Sequence, residues 1–186
     1  MKYFRFLFLA LLLSATSLQC YDAEPYRLLS NKDSQGWTIE TDDGTIWRSV
    51  DSISANQVRY WRTNDRLVIR PVYLSNWYKA KFYLSNERDR TYALVELSQG
   101  PLLNKATNNQ ITYIDHLTGQ LKTEDGAGRC LYWNVSYQDR EPLQNWHPND
   151  SIIIGSNRNC WAGWLSTEPY ILINFDTNTF VHANLD

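Results

Sequence analysis

The sequence has few of the residues from which most chemical sites are built. Its 186 residues include three His and three Cys, and no H-x-x-x-H or C-x-x-C spacing joins them. Zinc sites need three or four ligands, so we expect neither a metal nor any other cofactor. No G-x-S-x-G motif and no glycine-rich phosphate loop occurs. We therefore predict no catalytic residue, although two of the 20 acidic residues could still meet as a hydrolytic pair.

A cluster of basic residues is also missing. The formal charge is −2, and residues 1–20 hold two basic residues, Lys2 and Arg5, and no acid. Without that segment the formal charge becomes −4, which is −2 less two positive charges. A mildly acidic chain with no Lys/Arg patch argues against nucleic acid as a partner.

Long apolar runs are missing after residue 20. Lys2 and Arg5 precede an apolar stretch over residues 6–13, followed by small polar residues. This pattern predicts a secretory signal peptide over residues 1–20, with cleavage after Ser17 or Cys20, because the stretch is too short to span a membrane. Lipid attachment at Cys20 is the alternative. We expect an exported protein, in the periplasm, in the cell envelope or secreted, with no transmembrane segment.

What the sequence does contain is an internal repeat. Four segments of the first half recur in the same order in the second half: TDDG (41–44) as TEDG (123–126), WRTND (61–65) as WHPND (146–150), LVI (67–69) as III (152–154), and NERDRTYALVEL (86–97) as NFDTNTFVHANL (174–185). In the last pair the alternate residues are small or apolar in both copies, as in a strand with one buried face. The chain is therefore a duplication of one unit.

The repeated unit has the pattern of short strands. The segments at 37–41, 45–49, 57–61, 66–72 and 81–85 are rich in Val, Ile, Thr, Tyr and Trp, and Asp43-Gly44 and Asp125-Gly126 are hairpin signals. We predict an all-β fold with two tandem copies of a five- or six-stranded antiparallel unit, as small SH3-like barrels or one pseudo-symmetric sandwich. The predicted divisions are a lead-in at 21–35, repeat 1 at 36–99, a linker at 100–118 and repeat 2 at 119–186.

The repeated Trp-x-x-Asn-Asp motif is interpreted as structural. Trp61 and Trp146 suit the plug of a small barrel, which has few residues to fill it. Asp65 and Asp150 follow in a turn, where a carboxylate can accept hydrogen bonds from backbone amides. The alternative is that the two Trp rings stack on a ligand.

Two thiols remain after residue 20, Cys130 and Cys160. An exported location would allow a disulfide between them, which would close a loop of about 30 residues and stabilise the fold by roughly 3–4 kcal/mol. The alternative is two unpaired, buried thiols.

The motifs resemble those of uncharacterised secreted proteins of chlamydia-like bacteria, which carry repeats of D-G-x-x-W … W-x-x-(G/N)-D. The first copy matches through Asp43, Gly44, Trp47, Trp61 and Asp65. The second copy has no Trp at the place of Trp47 and offers Cys130 or the more distant Trp133 instead. The resemblance implies export and a β fold, and it implies no activity.

Aromatic residues are abundant, with eight Trp and twelve Tyr. Long segments near residues 75–81 and 157–170 carry the candidate ligand-binding side chains Trp77, Tyr78, Trp161 and Trp164, since binding residues concentrate on such loops. The alternative is that these rings cover the barrel ends.

The sequence thus predicts a non-catalytic, exported binding module for an unknown protein or glycan. A structural envelope protein anchored through Cys20 is the first alternative, and a hydrolase with a cryptic site is the second.

Overall fold

The computed structural model of the chain describes residues 23–73, 80–158 and 167–186. Within them the chain forms two closed, six-stranded antiparallel barrels in tandem, which confirms the predicted all-β fold with two units. The first barrel contains β1 (Tyr26–Lys32), β2 (Thr38–Thr41), β3 (Ile46–Ser49), α1 (Ser52–Val58), β4 (Arg66–Pro71), β5 (Phe82–Asn86) and β6 (Thr91–Gln99). The second contains β7 (Asn109–Asp115), β8 (Gln120–Asp125), β9 (Cys130–Val135), a 3₁₀ turn (Tyr137–Asp139), α2 (Arg140–Leu143), β10 (Ser151–Ser156), β11 (Tyr170–Asn174) and β12 (Thr179–Leu185).

The two barrels share one topology. Around the first barrel the strands follow the order β1-β2-β3-β6-β5-β4, and the second barrel runs β7-β8-β9-β12-β11-β10. The first strand of each carries a register shift at the same place, between Leu29 and Asn31 and between Ile111 and Tyr113. Strand order and bulge position both repeat, so the predicted duplication is confirmed.

One predicted strand is wrong. The segment at 57–61 belongs to the end of α1 and the turn after it. Asp51 caps this helix by accepting a 2.7 Å hydrogen bond from the amide of Ser54, and Ser54, Ala55 and Val58 form its buried face. An Asp at the N-cap, with buried residues one and four positions apart, is the helical signal that the β-rich composition of 57–61 concealed.

The barrels begin earlier than the predicted repeats do. Strand β1 starts at Tyr26, inside the predicted lead-in, and β7 starts at Asn109, inside the predicted linker. These first strands have little sequence in common, because only one central position of each, Leu29 or Ile111, supplies a fully buried apolar side chain. The repeat therefore escaped detection there.

The missing Trp of the second copy is Trp133. Trp47 pairs with Ile39 and Leu97, and Trp133 pairs with the equivalent residues Leu121 and Leu185. Both indoles are buried. The hairpin between β8 and β9 is longer than that between β2 and β3, which displaced Trp133 in the sequence comparison.

The longer β8–β9 hairpin also places its turn differently from the prediction. Gly44 has a φ of 83° in the first hairpin, as the Asp43-Gly44 signal predicts. In the second hairpin the glycine with positive φ is Gly128, at 79°, rather than Gly126. Asp125 closes this turn by accepting hydrogen bonds from the amides of Ala127 and Arg129.

The barrels pack asymmetrically against each other. Ile153, Ile171 and Ile173 point outward from the second barrel, yet all are 0% exposed and belong to the same buried cluster as the core of the first barrel. Phe180 extends this face and meets Phe82 edge-on at 5.6 Å between ring centroids. In return, Ala23 from the start of the described chain packs into the core of the second barrel. Each core is therefore completed by residues of the other half.

None of the helices in the described residues has the length and apolarity needed to cross a membrane.

Candidate binding site

The repeated Trp-x-x-Asn-Asp motif forms the corner that leads into the fourth strand of each barrel. Trp61 and Trp146 are 2% and 0% exposed. Each indole Nε1 donates a 2.8 Å hydrogen bond to a hydroxyl at the start of the sixth strand, that of Thr91 or Thr179. Buried rings that are hydrogen-bonded inside the barrel have no face to offer a ligand, so this motif is structural.

The aspartates of the motif hold the corner together. Asp65 Oδ2 accepts hydrogen bonds from the amide of Arg62 at 2.7 Å and from Asn86 Nδ2 at 2.6 Å. The second barrel repeats both bonds, from the amide of His147 at 2.9 Å and from Asn174 Nδ2 at 2.6 Å to Asp150 Oδ2. The predicted acceptance of turn amides is therefore seen in both copies.

Asp65 also has an ionic partner, because Arg88 Nε lies 2.7 Å from its Oδ1. Burial acts to raise the pKa of Asp65, but the hydrogen bonds from Arg88, the Arg62 amide and Asn86 outweigh it and hold the pKa below its usual value. Asp176 stands at the place of Arg88 in the second barrel and accepts a hydrogen bond from the amide of Ser151 instead.

The four predicted ligand-binding side chains, Trp77, Tyr78, Trp161 and Trp164, lie outside the described residues, as does Cys160. The predicted disulfide is unsupported: Cys130 is a free, half-buried thiol whose Sγ lies 3.7 Å from Glu124 Oε2.

A polar network crosses the junction between the barrels. His182 Nδ1 lies 2.6 Å from Asp139 Oδ2, and His182 Nε2 lies 3.0 Å from the hydroxyl of Tyr73. That hydroxyl donates to Asn157 Oδ1, and Asn157 Nδ2 donates to the backbone carbonyl of Glu168 at 2.8 Å. The Tyr73 and His182 rings also stack, with 6.0 Å between their centroids. The network ties a residue of the first barrel to β12, the 3₁₀ turn and two loop residues of the second barrel.

The orientation of Asn157 and the contacts of His182 follow from these bonds. Asn157 Nδ2 points at a carbonyl, so its Oδ1 faces Tyr73 and takes the single phenolic proton. Asp139 Oδ2 contacts Nδ1 of His182 and the Tyr73 hydroxyl contacts Nε2, so both ring nitrogens have a partner in this arrangement.

A groove of about 500 Å³ opens in the first barrel between the β1–β2 hairpin and α1, within the size range of small-ligand sites. Trp37 forms its hairpin wall and is 46% exposed, and Ile53 on the helix is 75% exposed. The remaining lining side chains are mostly polar: Gln35, Ser52, Ala55, Asn56, Gln57 and Arg59.

The hairpin is fixed in place by its turn. Asp33 accepts hydrogen bonds from the amides of Gln35, Trp37 and Thr38. Burial acts to raise the pKa of Asp33, but these amide bonds outweigh it and lower the pKa. Gly36 has a φ of 79°, and a Cβ there would lie 2.1 Å from the carbonyl oxygen of Ala55. The hairpin therefore rests directly on the helix, which gives Trp37 a defined position.

The corresponding corner of the second barrel is held together by hydrogen bonds from Arg140. In the register set by Leu29 with Ile111, Gly119 takes the place of Trp37. Arg140 of α2 donates to the carbonyls of Leu117 and Thr118, and its guanidinium lies 5.0 Å from the ring centroid of Tyr137. Only the first barrel carries an exposed indole at this corner.

No sequence pattern marks this groove or the junction network. Trp37 begins a predicted strand, and the helix that forms the opposite wall has no clear signal in the sequence. No motif marks His182 as a functional residue, whereas the structure places it half-buried within β12. The signal that could have identified them is a difference between the two copies. Trp37 corresponds to Gly119 in the second copy, and His182 corresponds to Leu94 in the first.

The chain matches no protein-family model, no curated protein and no solved structure. Among the described residues, no group of three or more His, Cys, Asp or Glu side chains is placed to hold a metal ion.

Proposed function

We propose that this protein is an exported, non-catalytic binding module whose ligand site is the groove between the β1–β2 hairpin and α1 of the first barrel. The observation that supports this is the exposed indole of Trp37, which stands among polar side chains in one copy of a duplicated fold. Exposed Trp rings on a rigid frame give large contact areas at little conformational cost. The second barrel forms the same fold without a Trp at this position.

The proposal includes export through the predicted signal peptide at residues 1–20. Mass analysis of the mature N-terminus, with membrane fractionation, tests this point. A lipid on Cys20 would support the alternative of a structural envelope protein.

The binding proposal is tested by calorimetric titration of the purified chain with a glycan panel, together with pull-downs from envelope and host extracts. Trp37→Ala is expected to abolish the binding found for the intact chain while leaving the protein folded, with a smaller loss of stability than truncation of a fully buried Trp causes, because the ring is 46% exposed.

The matched control is Tyr137→Ala, which removes an 80% exposed ring from the corresponding corner of the second barrel. It should bind as the intact chain does. If Trp37→Ala binds equally well, the groove is not the site.

A hydrolase is the second candidate, and the Asp139–His182–Tyr73 network is the observation that favours it. Because both imidazole nitrogens are occupied, catalysis would require Tyr73 to move away from His182. Release of product from chromogenic esters or glycosides by the intact chain, lost in His182→Gln, would support this candidate and contradict the non-catalytic one.

A further inference from the structure

The groove of the first barrel presents polar side chains that the fold does not use. Within the described part of the chain, the side chains of Gln35, Asn56, Gln57 and Arg59 make no hydrogen bond or ion pair. A carboxamide both donates and accepts, so these groups suit a ligand with many hydroxyls. The adjacent indole of Trp37 supplies the apolar surface on which a sugar ring can stack.

Charge in the groove favours a ligand with a carboxylate. Arg59 is the one ionisable side chain of the lining, and Lys32 adjoins it, with Nζ 2.8 Å from the Arg59 carbonyl oxygen. Asp33 and Asp51, which border the lining segments in the sequence, accept hydrogen bonds from backbone amides of the hairpin and the helix. The guanidinium of Arg59 is therefore the charged group that is available to a ligand in the groove. Its paired donors match the two oxygens of a carboxylate.

The form of the barrel argues against a peptide. Every strand of the closed barrel is paired on both sides, so no edge is open for an added strand. Apolar anchors for a helical peptide are also few, because Trp37, Ile53 and Ala55 are the apolar residues of the lining.

We infer that the groove binds an acidic saccharide, with a sugar ring on Trp37 and its carboxylate on Arg59. This inference rests on the proposed binding function and names the ligand class for the same site.

The test is calorimetric titration of the full chain with a trigalacturonate, with its neutral methyl ester, and with an acidic tripeptide. The trigalacturonate should bind at least roughly tenfold more tightly than the ester, because a charge-assisted, bidentate contact is lost on esterification. Arg59→Gln should remove that preference, and Arg59→Lys should restore part of it. Arg62→Gln, which removes an equal charge from an exposed residue outside the groove, should keep it.

The outcomes separate this inference from the proposed function. Equal binding of the acid and the ester, lost in Trp37→Ala, would overturn the acidic class and leave the binding site standing. Equal or tighter binding of the tripeptide would overturn the saccharide. A preference for the acid that survives in Arg59→Gln would overturn the role of Arg59. Binding of no saccharide in the glycan panel and none of these probes would overturn the inference, and unchanged binding by Trp37→Ala would overturn the proposed site itself.

Discussion

Replacement of Ile173 by Ala is expected to destabilise the whole protein, although Ile173 points away from its own barrel. Its side chain is 0% exposed because it packs in the core cluster of the first barrel. The change removes three carbons, worth about 0.8 kcal/mol each on burial. This loss of roughly 2.4 kcal/mol is increased by the cavity left behind, so we expect about 3 kcal/mol, within the usual range for Ile→Ala in a core.

The duplication supplies a matched control. Ser85 occupies the place of Ile173 in the first barrel, and Ser85→Ala should change stability by less than about 0.5 kcal/mol, as surface substitutions do. Urea unfolding followed by Trp fluorescence measures both variants, because buried indoles report on each barrel. The expected result for Ile173→Ala is one transition at lower urea with an unchanged slope. A loss below about 0.5 kcal/mol, or separate unfolding of the two barrels, would refute the idea that they share a core.

The corner motif and the buried Ala23 can each be tested by substitution. Trp61→Ala and Trp146→Ala should each lower the free energy of unfolding by roughly 3–5 kcal/mol, whereas Trp37→Ala should lower it by less in the same urea titration, because Trp37 is 46% exposed. Because the folded protein lowers the pKa of Asp65 from its usual 3.8, the unfolded chain binds the proton first as the pH falls, and stability should drop below about pH 4. Asp65→Asn should flatten this slope in unfolding experiments run between pH 2 and pH 6, and an unchanged slope would refute the assignment. Ala23→Asp should cost roughly 2 kcal/mol or more, by burying an unpaired charge, and should shift amide resonances of the second barrel in NMR spectra.

Most of the fold could be predicted from the sequence because the signals are local and occur twice. Alternating apolar residues mark β6 and β12, and Asn64 and Asn149 take the left-handed backbone expected of the turn, with φ of 68° and 75°. The first strands and α1 could not be predicted, because they present few buried apolar residues and their composition is ambiguous. The equivalence of Trp133 and Trp47 could not be recognised for a different reason. Extra residues on both arms of the β8–β9 hairpin preserve the strand pairing, but they shift Trp133 out of alignment with Trp47 in the sequence.

The candidate site was not predictable to the same degree, because its parts come from separate segments. Trp37 and Ile53 lie on different elements and meet only once the hairpin rests on the helix at Gly36. The same is true of Tyr73 and His182, which are far apart in the chain and meet only because the barrels pack asymmetrically. No local pattern encodes such a contact.

The two copies of the unit differ where the barrels meet. On the docking face of the second barrel, Gly155 lies so close to the first barrel that a Cβ would come within 2.8 Å of the Ile69 carbonyl oxygen. The first barrel has Arg70 at the equivalent position, and Arg70 Nη1 donates to the carbonyl of Arg158 at 2.7 Å. A long charged side chain at the place of Gly155 would prevent this close approach. The two copies have therefore diverged at the positions that face each other, so the docking faces of the two barrels are not interchangeable.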